Sequence, residues 1–171
     1  MLMQGWLYSQ TERASDAVRT IATGITALRA TGATTWITFW LAFLAKAYAD
    51  LGQFDDAWRR ISEAMTTMET IKEKWCEAEV NRIAGEITLK SPDSDVAKAE
   101  IYFERVLAVA RQQQAKFGEL PAAMSMARLW RDQGNRDEAR KLLAPVYGWF
   151  TEGFDTLDLK EARALLDELH A

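Results

Sequence analysis

The sequence predicts an all-α protein, a right-handed superhelical solenoid of helical hairpins closed by a C-terminal capping helix. Three observations predict it. Apolar residues recur at helical spacing, small residues return with a period of about 40, and a polar corner separates two apolar halves in each unit. The stretch "RLWRDQGNRDEARKLLAPV", Arg128 to Val146, shows the pattern, with Gly134 at its polar centre.

The period rests on two anchors. An alanine closes each polar corner, in "ERASDA" at Ala17, "GQFDDA" at Ala57, "SDVAKA" at Ala99 and "GNRDEA" at Ala139, in steps of 40, 42 and 40 residues. Upstream, a second small residue stands at Gly5, Ala45, Gly85 and Ala127, in steps of 40, 40 and 42. Two antiparallel helices that cross closely need small residues at the crossing. A larger side chain there typically costs about 1–3 kcal/mol of overpacking.

The elements follow in order. Met1 to Ser9 and Ser15 to Thr31 form the first hairpin; its first helix is only one or two turns long, as though an array were cut within a repeat. Thr35 to Leu51 contains "WITFWLAFLA", apolar on every side and therefore a buried helix. At ten residues before Lys46 it falls short of the roughly 18 a membrane span requires. Leu41, Leu44 and Tyr48, then Trp58, Ile61 and Met65, continue the helical spacing into Phe54 to Ile71. Gly52 between them stands where a helix stops in a left-handed residue, and Asp55 and Asp56 suit the positive start of the next helix. The third hairpin is Lys74 to Leu89 with Val96 to Gln114. The fourth is Glu119 to Gln133 with Arg136 to Phe150, carried by Met126, Trp130, Leu142, Leu143 and Val146 about Gly134; Pro145 predicts a kink. Gly148 precedes and Gly153 lies within "WFTEGFD", a connector expected to fold back onto that pair. Asp158 to His170 opens with "DLKE", an expected Asp cap with Glu three residues on. It presents Leu159, Ala162, Leu165, Leu166 and Leu169 on one face, as a terminal cap does. The chain thus reads as one domain over 1–171, with repeats at 1–32, 33–73, 74–115 and 116–154, a capping helix at 158–170, and the look of a fragment of a larger protein.

Composition narrows the function. The 25 acids and 21 bases give a net charge of −4 without a basic stretch, so nucleic acid is not an expected partner of this segment, and neither is a membrane. Cys76 is the only cysteine, which excludes an internal disulfide and a cysteine-pair metal site. That, with no basic-then-apolar leader, implies a cytoplasmic protein.

No phosphate loop, GxGxxG, HExxH or GxSxG motif occurs. His170, the only histidine, is penultimate, where nothing holds an imidazole in a fixed orientation. The carboxylate pairs Asp55/Asp56 and Glu77/Glu79 are accounted for by helix starts. Cys76 beside Trp75 could be activated by a helix N-terminus, but reads better as a half-buried small side chain. The seven tryptophans lack basic neighbours in series and read as core rather than as stacking platforms. The expectation is a non-enzyme with no catalytic residue, no metal and no cofactor.

Ala45, Tyr48, Gly52 and Ala57, and again Ala127, Trp130, Gly134 and Ala139, resemble the tetratricopeptide (TPR) repeat, with units about six residues longer than the usual 34. Units one and three depart from it, with Glu12 and Ser94 at the turn-glycine position and Thr88 at the aromatic position. The stretch from Ala127 to Leu169, with "EVNRIAGEI" and "ATGA" upstream, is similar to the carboxyl-terminal repeat region of large bacterial adenylate/guanylate cyclases or LuxR-type regulators that carry an AAA- or STAND-type ATPase. The resemblance implies a repeat module that senses a partner or controls the ATPase, with the catalytic domains outside this chain.

The TPR pattern directs Trp6, Lys46, Asp50, Arg82, Glu86, Arg128, Arg131 and Asp132 toward a concave groove of first helices. Such a groove takes an extended peptide or a helix, and the arginines suit a carboxylate. Two other modes stay open. An effector sensor would enclose a small molecule in an apolar pocket. Self-association, as a homodimer through the first repeat, would cover Leu2, Trp6 and Leu7.

Overall fold

The helical spacing becomes helices in a computed structural model that describes residues 1–11, 13–34, 36–72 and 74–170. In chain order they are α1 (Leu2–Ser9), α2 (Ala14–Ala30), α3 (Ile37–Asp50), α4 (Phe54–Ile71), α5 (Glu77–Lys90), α6 (Val96–Gln112), α7 (Lys116–Asp132), α8 (Arg136–Tyr147) and α9 (Leu157–His170). Among the described residues there is no strand. Glu12, expected at the first corner, and Thr35, expected to open the second unit's first helix, lie outside the described residues. The chain divides into two compact units, Met1–Ala99 and Glu100–Ala171, with the division inside α6.

In the first unit α1 pairs with α2 and α3 with α4, while α3 also touches α1, α2 and α5. That central place explains its composition. A helix apolar all round must be covered all round, and Ile37, Trp40, Leu41, Phe43 and Leu44 are all buried. In the second unit α7 and α8 form a hairpin that α9 closes, touching both. The expected face of α9, Leu159, Ala162, Leu165, Leu166 and Leu169, is buried.

All eight small residues of the two anchors are buried. At Gly5 the reason is explicit: an added Cβ would lie 2.6 Å from Ile21 Cγ1 and 3.2 Å from the Ile21 backbone nitrogen of α2. A methyl group would push the two helices apart.

The corners at Gly52 and Gly134 form as expected, with φ of 74° and 85°. The Gln53 amide donates to the Tyr48 carbonyl at 2.9 Å, and the Asn135 amide to the Trp130 carbonyl at 2.8 Å, so the last carbonyls of α3 and α7 are satisfied. Between α6 and α7 the same left-handed place is taken by Gln114, φ 53°, and the Ala115 amide donates to the Ala110 carbonyl at 2.9 Å. That tight closure lets α7 begin at Lys116, before the expected Glu119, and puts Pro121 inside the helix.

Three further boundaries differ from expectation. α5 starts at Glu77, because Trp75 and Cys76 form the turn before it. α8 runs through Pro145 but ends at Tyr147 instead of Phe150. Asp158 does not cap α9: the helix begins at Leu157, so the acid lies within its first turn and acts on the dipole instead. A true acid cap is found at α6, where Asp95 Oδ1 accepts the Lys98 amide at 2.9 Å.

Candidate functional site

In the first unit the expected groove residues stand on α1, α3 and α5, and most of their charge is already matched. Lys46 Nζ donates to the Ser9 carbonyl of α1 at 2.8 Å and to Asp50 Oδ2, one turn on, at 3.0 Å. Asp50 also accepts from Lys90 of α5, so it stands between two lysines on neighbouring helices. Burial pushes the Asp50 carboxyl up, but the bonds from Lys90 and Lys46 outweigh it and hold it below the usual carboxylate range. Arg82 lies between Glu79 and Glu86 of its own helix, with Nε and Nη2 on the Glu79 carboxylate at 2.9 and 2.6 Å and Nη1 on Glu86. Burial would lower its pKa; the two carboxylates more than reverse that. Of these bonds, Lys46–Ser9 ties α3 to α1 and Lys90–Asp50 ties α5 to α3, while those of Arg82 stay within α5.

What the charges leave open is aromatic. Trp6 of α1 meets Phe43 of α3 edge-on, with centroids 6.4 Å apart, and Phe43 lies 4.8 Å from Phe39. Phe39 stacks on Trp75 at 5.6 Å, and Trp75 contacts Trp36 at 4.4 Å. The series ends in the open, since Trp36 is 51% and Trp75 42% exposed. Trp36 caps α3 with φ 73°, a left-handed conformation uncommon for a bulky residue. Reading the tryptophans as core missed this. Trp40 is buried, but Trp36, Trp75 and Trp149 stand at helix ends with their rings half in solvent. The available signal was position: each is the second residue from an end of an expected helix.

In the second unit Arg128 and Arg131 do share a face of α7, and that face meets α9. Arg128 Nη2 lies 2.8 Å from Glu161 Oε2, and Arg131 Nη1 lies 2.6 Å from Glu168 Oε2. Arg131 Nε also holds Asp132 at 2.9 Å. The two arginines thus grip carboxylates already, those of the capping helix.

Other candidates resolve simply. Cys76 is buried outright rather than half-buried, with Thr38 Oγ1 at 3.0 Å and Met68 Sδ at 3.8 Å, out of reach of a substrate. Among the described residues no group of three or more His, Cys, Asp or Glu side chains could hold a metal ion, and no helix is long and apolar enough to cross a membrane. A depression of about 650 Å³ at the α1–α2 corner is open and lined by Ser9, Arg13, Asp16, Lys46 and Asp50, unlike an enclosed apolar effector pocket. Of the apolar residues expected to be bare at the first repeat, only Leu7 is exposed. Leu2 packs where Gly24 leaves room, and Trp6 packs on Phe43.

Hairpins of two antiparallel helices with small residues at each crossing, first helices set side by side in the first unit, and left-handed corners define an all-α fold of TPR-like repeats. Solved structures agree. The chain is similar to a kinesin light chain-like protein of Podosopora anserina with nearly identical TPR-like repeats, at 16% identity over 99% of this chain and 83% of that one, TM-score 0.67. A single-residue variant of that protein gives 16%, 99%, 82% and 0.68. No protein-family model matches the sequence, and no curated protein does.

Proposed function

We propose that the chain is a non-catalytic protein-interaction module that takes a peptide or protein segment on the first-helix face of its first unit. One observation carries the reading: the rings of Trp36, Phe39 and Trp75 form a continuous apolar surface, half open, beside charges that satisfy one another. Tryptophan is enriched among the residues that anchor interfaces, while complementary charges set register and selectivity. Trp6, Lys46, Asp50, Arg82 and Glu86 would frame the bound segment. Arg128, Arg131 and Asp132 belong to the second unit, where the two arginines already hold carboxylates of α9, and are not assigned to this site. We further propose that occupancy regulates an ATPase or cyclase joined to these repeats.

The test is selection of binding peptides from a displayed library on the intact chain, followed by titration against the Trp36→Ala/Trp75→Ala variant. Binding should weaken about tenfold or more with helicity unchanged, as removal of a buried aromatic anchor implies. Equal binding by the variant would overturn the reading. In a protein that carries such a catalytic domain, the same double substitution should uncouple its activity from the peptide.

A further inference from the structure

The second unit carries a separate apolar surface, where the α6–α7 corner meets the end of α8. Phe117 is 80% and Trp149 54% exposed, and both rings rest on Phe150, with centroids 5.5 and 5.2 Å away. Beside them Arg111 Nε and Lys116 Nζ converge on Glu119, at 3.0 and 2.6 Å. Glu119 is itself buried, so this surface offers solvent two cations above one sunken carboxylate, next to two bare rings. It is basic and aromatic on a chain whose net charge is −4.

The adjoining α8–α9 connector, taken with the first two residues of α9, is opposite in kind. "TEGFDTLD", Thr151 to Asp158, holds three acids and no base, with Phe154 47% and Leu157 64% exposed. The Phe154 ring rests on Tyr147, at 5.8 Å, close in the chain to Trp149. The acidic, apolar half therefore begins where the basic, aromatic half ends.

We propose that this face binds a second copy of the chain, the acidic connector of each copy lying on the basic aromatic patch of the other. Charge complementarity selects the occupant. A face that carries both complementary halves side by side matches itself under a two-fold axis, the symmetry most dimers use. An unrelated acidic segment would satisfy Arg111, Lys116, Phe117 and Trp149 but leave Phe154 and Leu157 bare. The proposal is independent of the peptide reading, which rests on residues of the first unit.

The experiment is sedimentation equilibrium of the full chain over a wide concentration range, repeated for Phe117→Glu and for Leu157→Lys. Both side chains are exposed, so circular dichroism should stay unchanged. The unaltered chain should show a monomer–dimer equilibrium, and each variant should dimerise about tenfold more weakly or worse, from loss of a buried apolar contact and from like charges brought together. An equimolar mixture of the two should recover the dimer. There the new acid in one patch meets the new lysine of the other connector, while the second contact stays unaltered. Should either variant lose helicity, Trp149→Ala and Phe154→Ala replace the pair, each again weakening the dimer. A monomer at every concentration up to the millimolar range would overturn the proposal. So would a dimer indifferent to these substitutions, or a mixture that stays monomeric. A Trp36→Ala/Trp75→Ala variant should dimerise normally.

Discussion

Gln114, at the corner that joins the third and fourth hairpins, and Gly134, at the corner within the fourth, lie in the same left-handed region, at φ of 53° and 85°. Only glycine adopts it without steric cost, which for other residues is about 1–2 kcal/mol. A Cβ on Gly134 would meet nothing within 4 Å, so Gly134→Ala should cost about 1 kcal/mol from backbone conformation alone. Gln114→Gly should conversely stabilise by up to about 1 kcal/mol. Urea midpoints measure both, and a destabilised Gln114→Gly would contradict the left-handed corner. Glu119 makes a second prediction. Burial pushes its carboxyl up, and the bonds from Lys116 and Arg111 outweigh burial and hold it below the usual range. A depressed folded pKa contributes stability above the unfolded value, about 4.3, that is lost as pH falls through the folded one. In Arg111→Met/Lys116→Met only burial remains and the sign reverses. That variant should be less stable than the parent at neutral pH and gain stability on acidification toward about pH 5, as urea titrations at the two pH values would show.

The α7–α9 seam joins two kinds of contact with different consequences. The leucines of α9 hold the helix in place; Arg128–Glu161 and Arg131–Glu168 are partly exposed and each worth less than about 1 kcal/mol. Arg128→Glu/Arg131→Glu should therefore leave the protein folded but speed amide exchange along α9, and adding Glu161→Arg/Glu168→Arg should restore protection. Unchanged exchange in the first variant would show that the pairs contribute nothing. The seam also explains a partial reading of the sequence. The face of α7 that bears both arginines follows from helical spacing, but their partners lie more than thirty residues on, beyond any local pattern.

Across the chain, every predicted helix exists among the described residues, because apolar spacing and small-residue crossings repeat four times and each copy corroborates the others. Ala139→Leu tests the shared principle. Overpacking of about 1–3 kcal/mol, at about 2–4 °C per kcal/mol for a chain this long, should lower the melting temperature by several degrees. An unchanged melt would sink the crossing-point argument. Solved TPR-like structures match 99% of the chain at 16% identity, which fits a fold specified by where small and apolar residues fall more than by their identities.

Helix number, hairpin order and the corners at Gly52 and Gly134 were legible because each depends on residues within a few turns of one another. The surface was not. Whether Trp36, Trp75, Trp149 and Phe117 are core or bare is set by what packs on the helix ends. Likewise Asp50 finds Lys90, and Arg131 finds Glu168, only once the helices are set side by side. Local periodicity encodes the scaffold, whereas which charges remain unmatched and which rings stay open depends on contacts between distant segments. Those contacts decide which surfaces are left for the binding proposed above.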